Sequence, residues 1–249
     1  MRVAVAGGTG AVGRHVVEVL DERGHQPVVL ARSRGVDLAD GSGLAGRLAD
    51  VGAVIDVTSV VTQSAAASTA FFERVTRNLL AAEKSAGVAH HVALSIVGSE
   101  QAPHGYYAGK AAQERMIAAG EVGWTVLRAT QFHEFAMQML DRLRFGPLAV
   151  VPVMRCRPVA AREVAERLVD LALGSAQGLT ADLAGPREES MVDMVRRYTA
   201  TTPIRAAVVG IPLPGAFGTA LRDGTILPGP EAHLGTVAFA EWLADRSSR

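Results

Sequence analysis

The sequence predicts an α/β fold, a doubly wound parallel sheet with a small C-terminal substrate-binding cap, on three observations. Strand-like apolar runs recur at residues 2–6, 27–31, 53–58, 91–96 and 124–129. Helix-like stretches at 11–23, 64–86, 108–119 and 131–143 separate most of them, an alternation that marks a parallel sheet covered by helices on both faces. The first run leads directly into a glycine-rich turn, GGTGAVG at 7–13, and then into a helix.

Composition narrows the classes. A chain of 249 residues, 49% hydrophobic, is long enough for one sizeable α/β domain with appended elements or for two small domains. The formal net charge of zero and the lack of charge blocks argue against nucleic acid or an anionic membrane as partner. The single cysteine, Cys156, has no intrachain disulfide partner and reads as an ordinary small apolar residue in a reducing compartment. The first strand begins at once, leaving no room for a signal peptide, and no apolar run approaches the ~20 residues of a membrane span, so a cytoplasmic location is expected.

In the turn, Gly8, Gly10 and Gly13 satisfy G-x-G-x-x-G, and Gly7, Gly10 and Gly13 the looser G-x-x-G-x-x-G. Such glycines turn the chain tightly, let a phosphate approach the backbone where a Cβ would collide, and let the helix pack close to the strand. The anion then lies against unpaired N–H groups at the positive end of the helix dipole. A dinucleotide pyrophosphate is therefore expected on Gly7, Thr9, Gly10, Ala11, Val12 and Gly13.

The second run ends in Arg32-Ser33-Arg34 with no acid. An acid there would bind the ribose hydroxyls of NAD, whereas arginine with a serine beside it suits a 2′-phosphate, so the expected cofactor is NADP(H). Asp37, followed by Leu38, reads either as a contact for the adenine amino group or as a cap for a short helix at 41–49. Val57, Thr58 and Ser59 end the third run and should lie near the cofactor, because ligands bind at the carboxyl ends of parallel strands. The Ala-rich segment 80–86 of the next helix suits close packing on the sheet.

Ser95 ends the fourth run, where a hydroxyl can hold a substrate oxygen or simply satisfy a turn, and Ser99 is a second candidate. His90 and His91 point to opposite faces of that strand, with no acid cluster to complete a metal site. Tyr106 and Lys110 form Y-x-x-x-K on one helix face. A phenol, with its pKa near ~10, is protonated at neutral pH and can donate to a carbonyl. A neighbouring ammonium is expected to favour the phenolate left behind, and Lys110 is also a candidate for the nicotinamide ribose. With only Lys84 and Lys110 as lysines, the spacing is informative. Tyr107 is a poorer match to Lys110, and His104 reads as a loop residue.

After Phe145 the pattern changes. Gly146-Pro147 breaks the chain, an apolar piece follows at 148–153, and 161–173 is a strong amphipathic helix. A strand is expected at 180–184, a helix opened by Pro186 at 188–199 and a last helix at 237–245, while the Gly- and Pro-rich stretch 201–230 gives no assignment. The expected division is a nucleotide-binding domain at 1–145 and a C-terminal region at 146–249 packed on it as a single compact unit.

Taken together, GGTGAVG at 7–13, ALSIVG at 93–98, YYAGKAAQE at 106–114, WTVLRATQFHEF at 124–135 and two downstream segments, 158–173 and 183–198, resemble the short-chain dehydrogenase/reductase superfamily. The closer resemblance is to its atypical branch of NmrA-like and isoflavone-reductase-like NAD(P)-binding proteins. It implies a Rossmann-type NADP-binding domain with Ser95, Tyr106 and Lys110 in the catalytic positions. It also implies that Thr130 contacts the cofactor and that Gln131, Phe132, His133 and Phe135 line the substrate pocket. The expected function is an NADPH-dependent reductase of an aromatic or cyclic ketone or of a quinone, with an apolar or aromatic small-molecule substrate, acting as a monomer or homodimer. A cofactor-sensing regulator and an epimerase or isomerase with recycled cofactor are the alternatives.

Overall fold

The computed structural model describes residues 1–247. The chain opens with β1 (Arg2–Ala6), α1 (Gly13–Glu22), β2 (Gln26–Leu30), β3 (Val51–Asp56), α2 (Ala65–Ala86) and β4 (His90–Ile96). Next come α3 (Tyr106–Ala118), β5 (Gly123–Ala129), α4 (Phe135–Leu143), β6 (Arg144–Phe145), β7 (Leu148–Pro152), β8 (Arg155–Cys156) and α5 (Ala161–Leu173). The remainder holds β9 (Gly178–Leu179), β10 (Leu183–Ala184), β11 (Glu189–Ser190), α6 (Met191–Ala200), β12 (Ala207–Ile211), α7 (Gly215–Asp223), β13 (His233–Leu234) and α8 (Phe239–Ser247).

These elements form two units, divided otherwise than by one cut after Phe145. The first comprises Met1–Arg128 and Arg162–Ala181, and the second Ala129–Ala161 with the chain from Asp182 onward. In the first unit the strands run β5-β4-β3-β1-β2, with β1 parallel to β2 and β3, and β3 parallel to β4. This is a Rossmann-type sheet, and the chain reverses its winding between β1 and β3, where such folds bind ligands beyond the carboxyl ends of the strands.

Local sequence explains the helices that frame this point. Val16, Val19 and Leu20 give α1 one buried stripe at helical spacing. The Ser64 side chain caps α2, accepting from Ala67 N at 3.2 Å, and Gly87 ends it in the left-handed region at φ 71°. Gly109 lets α3 lie close on α2, since a Cβ there would stand 2.1 Å from Ser68 Oγ and 2.6 Å from Phe72 Cδ2. The segment 41–49, expected as a helix, is a run of turns because Gly41, Gly43 and Gly46 hold φ of 78°, 70° and 76°, outside the helical region.

The amphipathic helix expected at 161–173 is α5, and it belongs to the first unit from Arg162 on, where Arg162 Nη1 meets Glu22 Oε1 of α1 at 3.0 Å. The second unit is built on β12 parallel to β7, with β6 antiparallel to β7 and with α4 and α6 packed on β7. The strand expected at 180–184 shrinks to β10, paired with β13. Helix α6 begins at Met191 behind a Ser190 cap, not at Pro186. The unassigned stretch 201–230 contains β12 and α7.

Gly13 is the tightest point of the nucleotide turn, because its Cβ would lie 2.2 Å from Gly7 O and 2.7 Å from Gly8 Cα. Gly13→Ala is expected to cost at least about 2 kcal/mol of folding stability in urea titrations. Gly10→Ala, whose Cβ meets Gly7 O at 3.2 Å, should cost under about 1 kcal/mol. Equal losses for the two would contradict this packing.

Candidate active site

The glycine turn is pinned to the strands on either side. Gly7 N donates to Leu30 O at 3.0 Å and Gly10 N to Gly7 O at 2.9 Å. Gly7 holds φ 80°, and a Cβ there would stand 3.0 Å from Val57 O and 3.2 Å from Thr58 Cα, so the turn lies directly on the chain leaving β3. Thr9, Gly10 and Ala11 are exposed. No side chain caps α1 at Val12, so its first N–H groups have no side-chain competitor for an anion. Beyond β2, Arg32–Arg34 form one turn of 3₁₀ helix, with Arg32 and Ser33 exposed. With no helix at 41–49 to cap, Asp37 closes a local turn, its Oδ1 accepting from Ala39 N at 2.9 Å, while Leu38 joins a core cluster under α2.

Tyr106 and Lys110 come together as the spacing predicts, at the start of α3. The Tyr106 ring is half-buried and meets Phe72 edge to face at 5.6 Å, and Ser59 Oγ donates to its hydroxyl at 3.4 Å. Burial pushes the Tyr106 phenol up to about 12, with the Ser59 hydrogen bond opposing. The phenol is therefore protonated throughout the neutral range. Lys110, 2% exposed, lies 4.3 Å above the Phe72 ring and 6.0 Å from the Tyr106 ring centre. Its Nζ donates to Leu94 O at 2.8 Å, Gln113 Oε1 at 2.8 Å and Thr58 O at 3.4 Å. Burial lowers Lys110 to about 8, against the pull of Asp56 and Glu114. The ammonium does not depress the Tyr106 phenol as expected from the spacing, since its three N–H groups point at other acceptors and burial of the phenol dominates.

Ser95 is not brought to Tyr106. Its buried hydroxyl donates to Glu114 Oε1, which also accepts from Ser99 Oγ at 3.0 Å, and Arg128 closes the cluster with Nη2 at 2.5 Å from Glu114 Oε2 and 3.0 Å from Glu100 Oε2. Glu114 lies one helical turn beyond Lys110, so the strand-end serine faces a structural ion pair. Asp56 and Gln113, which no motif marks, are buried behind Lys110, with Gln113 Nε2 donating to Asp56 Oδ2 at 2.8 Å. The available signal was an acid ending an otherwise apolar strand, Val51-Gly52-Ala53-Val54-Ile55-Asp56.

Thr130, Gln131, Phe132, His133 and Phe135 fall in the second unit. Thr130 Oγ1 donates to Arg157 O at 2.6 Å, and Gln131 O accepts from Val159 N at 2.9 Å. His133 is fully buried, with Nε2 3.0 Å from Val237 O and its ring 5.7 Å from both Phe239 and Trp242, which packs it in the core of that unit. Phe132 and Phe135 are half-buried. Tyr107 is 7% exposed in the core, and His104 is an exposed loop residue. Burial pushes the Cys156 thiol up to about 12, which leaves it inert. Among the described residues no group of His, Cys, Asp and Glu could hold a metal ion, and no helix is long and apolar enough to cross a membrane.

The NAD(P)H-binding family model matches residues 7–142, more than half of the chain, and the protein belongs to that family. No curated protein sequence is similar enough to match. Among solved structures, the NADPH-dependent quinone oxidoreductase QOR2 from Escherichia coli superposes with TM-score 0.71 at 15% identity, covering 98% of this chain and 99% of that one. UDP-glucose 4-epimerase from Thermus thermophilus, in complex with NAD, gives 0.67 at 19% identity over 100% and 94% of the two chains. An Agrobacterium tumefaciens short-chain dehydrogenase/reductase superfamily protein with bound NAD gives 0.69 at 17% identity over 100% and 96%. At such identities the likeness is one of fold, that of the NAD(P)-binding short-chain dehydrogenase/reductase proteins.

One pH effect follows from the core beside the site. His91 Nδ1 lies 2.8 Å from Glu83 Oε1, both fully buried, and although burial presses the imidazolium down, the Glu83 carboxylate outweighs it and raises His91 above the usual 6.5. A raised folded value adds stability that is complete below pH 6.5 and fades as pH climbs through that folded value. Urea titrations across this window should show the decline in the parent protein and lose that component in His91→Gln. A decline of unchanged size in His91→Gln would contradict the assignment.

Proposed function

We propose that this protein is an NADPH-dependent reductase of a ketone or quinone. The observation that carries the reading is one contiguous line of contacts. The Gly7 turn lies on Val57 and Thr58, Thr58 O accepts from Lys110, and Ser59 donates to the Tyr106 hydroxyl. The phosphate turn and the proton donor thus share the strand end after β3.

The residues present suit the cofactor. The turn from Gly7 to Gly13 and the free end of α1 would hold the pyrophosphate, and Arg32 with Ser33, exposed past β2, would hold a ribose 2′-phosphate. Val57, Thr58 and Ser59 line the neighbouring strand end, and Lys110, whose bond to Thr58 O is long at 3.4 Å, would exchange it for a ribose hydroxyl. NADPH, when bound, would supply a hydride to the substrate carbon. This chain's own part in ketone reduction is the proton: Tyr106, kept protonated by burial, donates it from its hydroxyl to the developing oxyanion. Ser59, and not Ser95, is the hydroxyl that orients Tyr106. The reading places the protein in the cytoplasm as a monomer or homodimer.

Purified protein is expected to oxidise NADPH stoichiometrically with some member of a ketone and quinone panel. Binding without consumption across that panel would sink the reading, and product formation without net consumption would point to an isomerisation with recycled cofactor. Tyr106→Phe should lower ketone kcat by about 100-fold or more with NADPH affinity nearly unchanged. Ser95→Ala should retain most of the rate. Arg32→Ala should weaken NADPH about 10-fold or more and leave NADH unaffected, as loss of a charge-assisted phosphate contact requires.

A further inference from the structure

Behind Tyr106 runs a buried polar line that neither phosphate binding nor proton donation calls for. Lys110 gives two short hydrogen bonds, to Leu94 O and to Gln113 Oε1, both at 2.8 Å, and a long one to Thr58 O at 3.4 Å. Gln113, 1% exposed, turns its other amide atom to Asp56, Nε2 donating to Oδ2 at 2.8 Å. The second oxygen of Asp56 accepts from Thr58 N at 2.8 Å. The amide has one workable orientation, since flipping it would set N–H against an ammonium and oxygen against a carboxylate. A carboxylate drawing on the Gln113 N–H also strengthens its carbonyl as an acceptor.

Other charged groups near Lys110 are already matched. On α3, Glu114 is bound by Arg128, and from β4 His91 approaches with Glu83 of α2 as its partner. Tyr106, also on α3, is neutral at working pH. Among the described residues Asp56 of β3 has no cation in direct contact, and its charge acts on Lys110 and on His91, whose nearer anion is Glu83.

We propose that Asp56 and Gln113 are positioning residues for Lys110: the Asp56 charge, relayed through the Gln113 amide, keeps the buried ammonium protonated and anchored, and frees only the long Thr58 bond for exchange with a ligand hydroxyl. The proposal rests on the reading of Lys110 as the partner of Tyr106 and of the cofactor ribose. Its margin is narrow, because burial has already brought Lys110 down to about 8.

The chain's two lysines make the test direct. Protein carrying isotope-labelled lysine gives two side-chain resonances, with Lys84, exposed beside Glu121, as the internal reference. The Lys110 signal should titrate near pH 8 in the parent. It should move down by about one unit or more in Asp56→Asn and Gln113→Leu, and up in Gln113→Glu, which sets a carboxylate directly on Nζ. The upper limb of the kcat profile should follow these shifts, with KM for ketone little changed. An unmoved Lys110 titration in Asp56→Asn and Gln113→Leu overturns the proposal. Should Asp56→Asn fail to fold, the two Gln113 variants decide. Shifted titrations in a protein that consumes no NADPH would uphold the proposal and sink the reductase reading, so the two failures are distinct.

Discussion

A lysine ammonium with 2% of its surface exposed must find acceptors for three N–H groups or lose its proton, and the way this chain meets that demand joins the elements around the site. The acceptors come from three places: Leu94 O in β4, Thr58 O just past β3, and Gln113 on α3 itself. Gly109 allows α3 close enough to α2 for Phe72 to cover both Lys110 and Tyr106. Gly7 then sets the phosphate turn on the Val57–Thr58 backbone that helps hold the lysine. Disturbing the lysine would disturb two strand ends and a helix face together.

The same burial acts in opposite senses on the two side chains proposed to take part in the reaction. It holds the Tyr106 proton more firmly than in water, so the phenol is a donor and not a base at neutral pH. It loosens the Lys110 proton, which would make the charge unreliable were no anion nearby. Ser95, the residue that by position should complete a catalytic group, instead serves the Glu114–Arg128 pair that ties α3 to β5. A buried ion pair left half-satisfied is costly, so its claim on the serine is strong.

Much of this could be read from the chain. The five strands, the dinucleotide turn and the Tyr106–Lys110 face follow from short-range periodicity and glycine placement, which local physics fixes. The helix expected at 41–49 failed for an equally local reason: its apolar spacing was helical, but three glycines with positive φ took the chain elsewhere. Strand β12 was invisible because its pairing with β7 joins Ala207 to Leu148, far apart in sequence. Ser95, Asp56 and Gln113 were misjudged or missed on the same ground. Ser95 meets Glu114 and Asp56 meets Gln113 only through the fold, far along the chain from each other, and a hydroxyl at a strand end looks alike whether it faces a ligand or a carboxylate.

The central claim is that the turn at Gly7 and the phenol of Tyr106 serve one hydride-transfer reaction. The most direct measurement uses NADPH deuterated at the transferring position of the nicotinamide, with mass analysis of alcohols recovered from a ketone panel. The account predicts one deuterium on the carbinol carbon of the product. Alcohol formed without deuterium, or bound cofactor that retains its label with every ketone, would contradict it.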